Sequence, residues 1–356
     1  MRNPVFKSRI ARVLHWSRDS RIEGWPMLVA GLGFAGPMLA GIAAGRPEAG
    51  LVAALGSLAM SSSGAGEDLR TRTLDLAYAF AAGVGAMIAG MWIAGQGALG
   101  AAMVVLIAAI VSLAGGFSRP LARASVRFIL FLVIGTFVGP RMQDPWNAAA
   151  LVAAGALWTA LVTLGVASLR GAPIEDTEAG EAHPAAVRTP TFAQRWNRWR
   201  RSLESLSAWD YPLRITASLA VAETIVALWP RHHSHWIALT VAIVVHRGPS
   251  DQGTRAFQRA AGTAAGVLAG GVLLVMQPPV WTLVAVIVML AALRPALEAR
   301  SYLAYSAAMT PLVLLLLDFG QVPDAAALID RLAATLIGCT LALAAGRHVG
   351  RHTGTS

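Results

Sequence analysis

Long apolar runs of fourteen to twenty-three residues recur from Trp25 to Gly346, and short gaps between them hold nearly all of the charge. A helix rises about 1.5 Å per residue, so a run of about 20 residues crosses a hydrocarbon core of about 30 Å. The bilayer is therefore the solvent of most of this chain. Backbone groups have no water to bond there, which leaves helices as the only form such runs can take.

Twelve segments follow in order: about 25–44, 50–62, 74–94, 98–115, 124–139 and 147–169, then 212–229, 235–246, 256–276, 280–293, 301–317 and 325–346. The second, eighth and tenth are short, so whether they cross fully stays open. Around them lie a basic amphipathic segment at 1–24, a linker at 170–211 that turns from acidic to basic and aromatic, and a tail at 348–356. The two membrane units are 25–169 and 212–347, each expected to hold six helices with an interfacial amphipathic helix before it. No cleavable leader is read before Trp25.

Composition matters mainly through charge. A pI near 11.1 in a soluble protein would suggest nucleic acid, but here the residues are 56% hydrophobic and 13% charged. Of 28 Arg and one Lys, 25 fall on the side of the termini and linker, leaving Arg46, Arg141, Arg231 and Arg331 opposite. The positive-inside rule then puts both termini on the cytoplasmic face, with lipids rather than nucleic acid as partner. The single cysteine, Cys339, lies in an apolar run and reads as buried and structural.

The chain also repeats. A shift of 183 residues aligns 71–86 with 254–269, eight of sixteen positions being identical, and carries Pro47 onto Pro230. Two six-helix units of equal orientation imply a pseudo-two-fold axis along the membrane normal. A smaller echo, Arg259-x3-Thr263-x2-Gly266 against Arg331-x3-Thr335-x2-Gly338, would imply inverted halves nested in the second unit.

The unusual residues cluster in that second unit. Glu223 falls near the middle of its segment, where a charge needs a partner or a pathway. Desolvation would let it take up and release a proton, and a neutral, hydrogen-bonded structural acid is the alternative. Arg259 opens a helix ridged by Gly262, Gly266 and Gly270, with Thr263 one turn on. Its planar fork suits a carboxylate or, equally, the carbonyls of a neighbouring helix end. Arg331, with Thr335 one turn on, has the same readings, or a surface pair with Asp330. Trp236 reads as an interfacial anchor that could also stack on an aromatic substrate. His232, His233 and His235 form a polar rim or pH-sensing patch rather than a metal site, since no Cys, Asp or Glu joins them.

Neither GxxxxGK[ST], HExxH nor GxSxG occurs, so no nucleotide-driven pump, hydrolase or cofactor enzyme is expected. The order His235-Trp236-Ile-Ala-Leu-Thr, a Gly/Pro loop, then Arg259-Ala-Ala-Gly262-Thr263-Ala-Ala-Gly266 resembles the fusaric-acid-resistance (FUSC) superfamily. Arg331-Leu-Ala-Ala-Thr335-Leu-Ile-Gly338 is similar to that family's later Arg/Thr/Gly helix. The resemblance implies a bacterial inner-membrane exporter of aromatic or other organic acids, distantly similar to plant aluminium-activated malate channels. Together with the residue reading, the expectation is that Arg259 and Arg331 attract the carboxylate, Thr263 and Thr335 hydrogen bond to it, Glu223 carries the exchanged proton, and Trp236 and His235 line the path. A passive organic-anion channel and a non-transporting scaffold or accessory subunit are the alternatives, and two copies could pair as a homodimer.

Overall fold

The computed structural model describes residues 16–17, 23–60, 69–141, 144–170, 191–229, 235–247, 252–317 and 325–350. Among these residues the fold is all-helical. The first half contains α1 (Gly24–Ala43), α2 (Pro47–Met60), α3 (Leu69–Ile93), α4 (Gly97–Ala114), α5 (Arg119–Val138) and α6 (Pro145–Arg170). After α7 (Phe192–Ser202) come α8 (Leu206–Leu228), α9 (Trp236–Val244), α10 (Gln252–Val275), α11 (Val280–Arg300), α12 (Tyr302–Leu317) and α13 (Ala325–Gly350).

Nine of the described helices are long and apolar enough to cross a membrane, which makes this a multi-pass membrane protein. Leu99, Leu106 and Ile110 on α4, Leu268 and Val272 on α10 and Leu336 on α13 are exposed on the protein, as lipid-facing residues should be. The shorter apolar helices are α2, α9 and α12, of 14, 9 and 16 residues. Expectation and structure differ on the tenth segment: α11 runs 21 residues through Pro295 to Arg300, and α12 is the short one. A helix of 9 residues spans only about 14 Å, under half of the hydrocarbon core. α9 has every residue but Ile243 buried, so its neighbours and not lipid surround it.

Local chemistry explains several boundaries. Ser118 caps α5, accepting from the Leu121 amide at 3.4 Å, and Pro120 follows where no intrahelical amide bond is lost. Thr191 and Gln194 form a reciprocal capping box that starts α7. The basic aromatic stretch is not one helix but two, because α7 ends at Ser202 and α8 begins at Leu206. Of the amphipathic segment expected at 1–24, only its end is described. There the Ser17 amide donates to the Arg300 carbonyl at 3.0 Å, and the Arg300 guanidinium lies 5.7 Å from the Trp16 ring centroid.

Helix neighbours follow one order on both sides of α7. In the first half α3 packs on α5, α2 on α6, and α1 on α2 and α6; in the second α10 packs on α12, α9 on α13, and α8 on α9 and α13. Between halves, α1 meets α11 as α8 meets α4, and α5 meets α9 as α12 meets α2.

Candidate functional site

Glycines decide where the second-half helices touch. A Cβ at Gly266 would lie 2.6 Å from Thr310 Cβ, and one at Gly262 would lie 2.6 Å from Ser306 Cβ. The ridge thus lets α12 approach the backbone of α10, as small residues do at membrane helix interfaces. On α13, a Cβ at Gly338 would lie 2.6 Å from Thr240 Cβ, so α13 rests directly on α9.

These approaches bring two arginines to one stretch of α12. Arg259 Nη1 donates to Ser306 Oγ at 3.5 Å, a long bond, and Ser306 Oγ donates to the Arg259 carbonyl at 3.3 Å. Arg331 Nη2 donates to the Thr310 carbonyl at 3.2 Å. Ser306 and Thr310 are one turn apart, a rise of about 6 Å. Both arginines are buried, at 8% and 4% exposure, and the Arg331 guanidinium stands 3.8 Å above the Trp236 ring.

Several buried polar atoms of this cluster have no partner among the described residues: Arg259 Nε, Thr263 Oγ1 and Trp236 Nε1. An unsatisfied buried group costs about 1–3 kcal/mol, so each of these atoms is open to a polar partner. Thr335 differs, since its hydroxyl donates to the Arg331 carbonyl at 3.0 Å within its own helix. Sequence reasoning did not single out Ser306 and Thr310. Two hydroxyl residues at helical i, i+4 spacing just before Pro311 were the available signal.

Two expectations need correcting. Trp236 is not an interfacial anchor: it is 4% exposed, under Arg331 and 5.5 Å from the Phe137 ring of α5. Of the readings open for Arg331, a place on the surface is the one set aside, because its side chain is 4% exposed between Thr310 of α12 and the Trp236 ring. His235 is half-buried with its ring 6.1 Å from Phe137, whereas His232 and His233 lie outside the described residues. Glu223 is half-buried on α8 and makes no hydrogen bond or ion pair among the described residues, so it does not join the arginines directly. The Cys339 thiol is buried and donates to the Ala256 carbonyl at 3.5 Å.

Residues 219–345 match the family model described as fusaric acid resistance protein-like, the family that the motifs around Trp236, Arg259 and Arg331 resemble. A protein of Neisseria gonorrhoeae named "Uncharacterized protein ORF2" is 28% identical over 174 residues, which cover 49% of this chain and 42% of that one. The chain thus spans less than half the length of this curated relative. No solved structure matches.

Proposed function

We propose that this fusaric-acid-resistance-like membrane protein exports an organic carboxylate, aromatic acids being the favoured class, across a bacterial inner membrane. The observation that supports this most is the arrival of Arg259 and Arg331 at one turn of α12. Burying two guanidiniums against one helix is costly unless an anion compensates them, and a carboxylate fits the planar fork. The unused donors, Arg259 Nε and Trp236 Nε1, add directional bonds to that anion. Thr263 Oγ1 belongs to the same polar wall, and Trp236 offers a ring edge beside Arg331.

The recurring order of helix neighbours supports two six-helix units related by a pseudo-two-fold axis. In that reading, one unit rocks against the other along the α1–α11 and α4–α8 seams, and the termini lie inside. Glu223 is the proton carrier, acting through the motion of α8 against α9 and α13 rather than by touching the arginines. Its separation from them also favours a second reading, a passive anion conduit in which no proton is exchanged.

Thermal denaturation of purified protein against a panel of organic acids tests the main reading, because a ligand bound by the native state raises its melting temperature. Stabilisation by one class of carboxylate in wild type, lost in Arg259→Ala, is the expected result. Equal response of both proteins to every acid would sink it. Proton counter-flow in liposomes separates the exporter from the passive conduit.

A further inference from the structure

A second polar site lies at the end of the bundle that carries α7. There a cavity of about 290 Å³ opens between α7, the end of α4 and the start of α8, with Trp199, Ser205, Ser207, Asp210, Tyr211 and Arg247 on its wall. That volume is near the lower end of ordinary ligand pockets. Asp210 brings no net charge, since its carboxylate is held at 2.8 Å by buried Arg214. Arg247 is therefore the uncompensated charge of the cavity.

Arg247 is fixed but not saturated. Nη2 makes both of its hydrogen bonds, to the Ser112 carbonyl at 2.9 Å and to Ser125 Oγ at 3.0 Å, and the guanidinium lies 4.4 Å over the Tyr211 ring. Its Nε is buried without a partner. With Nη2 occupied, Nη1 and Nε are the guanidinium donors left for an oxyanion.

The helix roofing the cavity indicates which oxyanion. At 100° per residue, Phe192, Trp196 and Trp199 share one face of α7, Arg195 borders it, and Arg198 and Arg201 lie off it. Trp199 Nε1 donates to the Leu113 carbonyl at 3.2 Å, and the Phe117 ring meets Phe192 at a tilt and Trp199 edge-on, at 5.5 and 6.4 Å between centroids. Phe192 and Trp196 remain 71% and 45% exposed. Exposed aromatic rings beside arginines belong at the lipid headgroup level, where anionic lipids concentrate.

We propose that this cavity binds the phosphate of an anionic phospholipid headgroup, with Arg247 as its cationic anchor and Ser205 and Ser207 at its rim. The lipid fastens α7 to the joint between the halves, since Arg247 itself reaches from the end of α9 to α4 and α5.

The test is thermal denaturation of the full chain in neutral detergent with short-chain phosphatidylglycerol, short-chain phosphatidylcholine or inorganic phosphate. Wild type should be stabilised by phosphatidylglycerol, with at least about tenfold weaker half-saturation in Ala208→Leu, which narrows the cavity, and in Arg247→Gln. Because Arg247 also joins the halves, Ala208→Leu carries the test if Arg247→Gln fails to fold. Inorganic phosphate matching phosphatidylglycerol would reassign the cavity to a soluble anion. Equal stabilisation by phosphatidylcholine, no stabilisation, or an unchanged response in Ala208→Leu would each overturn the proposal.

Discussion

The guanidinium carbon of Arg331 stands 3.8 Å from the centroid of the Trp236 ring, both side chains being almost fully buried. α13 supplies the cation and α9 the ring, so neither helix moves without changing the contact. A desolvated cation–π pair is worth about 2 kcal/mol. A double-mutant cycle of Trp236→Leu with Arg331→Gln should therefore return a coupling of about 1–2 kcal/mol in thermal stability. Additive effects would show that the stack contributes nothing beyond each residue's own packing.

Arg259→Lys should weaken carboxylate binding nearly as much as Arg259→Ala, by about tenfold or more, because an ammonium supplies a point charge without the fork. Titration calorimetry on the stabilising acid reads this directly. Full affinity in the lysine variant would mean that charge alone is recognised.

Glu223→Gln removes the one carboxylate of α8 that lacks a partner among the described residues. If it carries the coupled proton, uptake into inverted vesicles should lose its dependence on a pH gradient while calorimetric affinity stays within about twofold. Gradient-driven uptake equal to wild type would remove Glu223 from the mechanism.

Gly155→Ala should destabilise the protein by about 1–3 kcal/mol, since the added methyl would collide with the Ala53 carbonyl of the facing helix. Gly85→Ala is the control: nothing lies within 4 Å of its Cβ position, and alanine favours the helix. Melting temperatures in detergent should separate the two variants. A similar shift in both would show that the close approach of α2 and α6 is not what the glycine serves.

A Cβ at Gly31 would lie 3.2 Å from Ala292 Cβ, where α1 of the first half meets α11 of the second. In a Cys339→Ser background, Gly31→Cys with Ala292→Cys should cross-link under mild oxidation. Proteolysis within 171–190 would then leave the halves joined on a non-reducing gel. Separate fragments under those conditions would mean that the halves are not seated in this way.

Much of the helical layout was legible because apolar length and arginine placement are local properties. Burial of an unpaired backbone in lipid leaves a run of twenty apolar residues one solution, and nine of the described helices are of that kind. Where segments were short, local reading left the crossing open: α9 is buried by protein, so its length says nothing about lipid thickness, and Pro295 did not end α11. Trp236 reads as an anchor in sequence because tryptophans favour interfaces. Only the fold reveals that α13 covers it.

The sequence by itself determined that this is a helical membrane chain and that its odd polar residues lie in the second half. Tertiary structure decided which of them meet. Arg259, Ser306, Thr310 and Arg331 are scattered over three helices, and nothing in their spacing along the chain couples them. Their meeting depends on backbone approach at Gly262, Gly266 and Gly338, a distance set by packing between helices. Glu223 shows the same limit from the other side. Its depth followed from position in a segment, but that it makes no ion pair with either arginine is visible only in the fold.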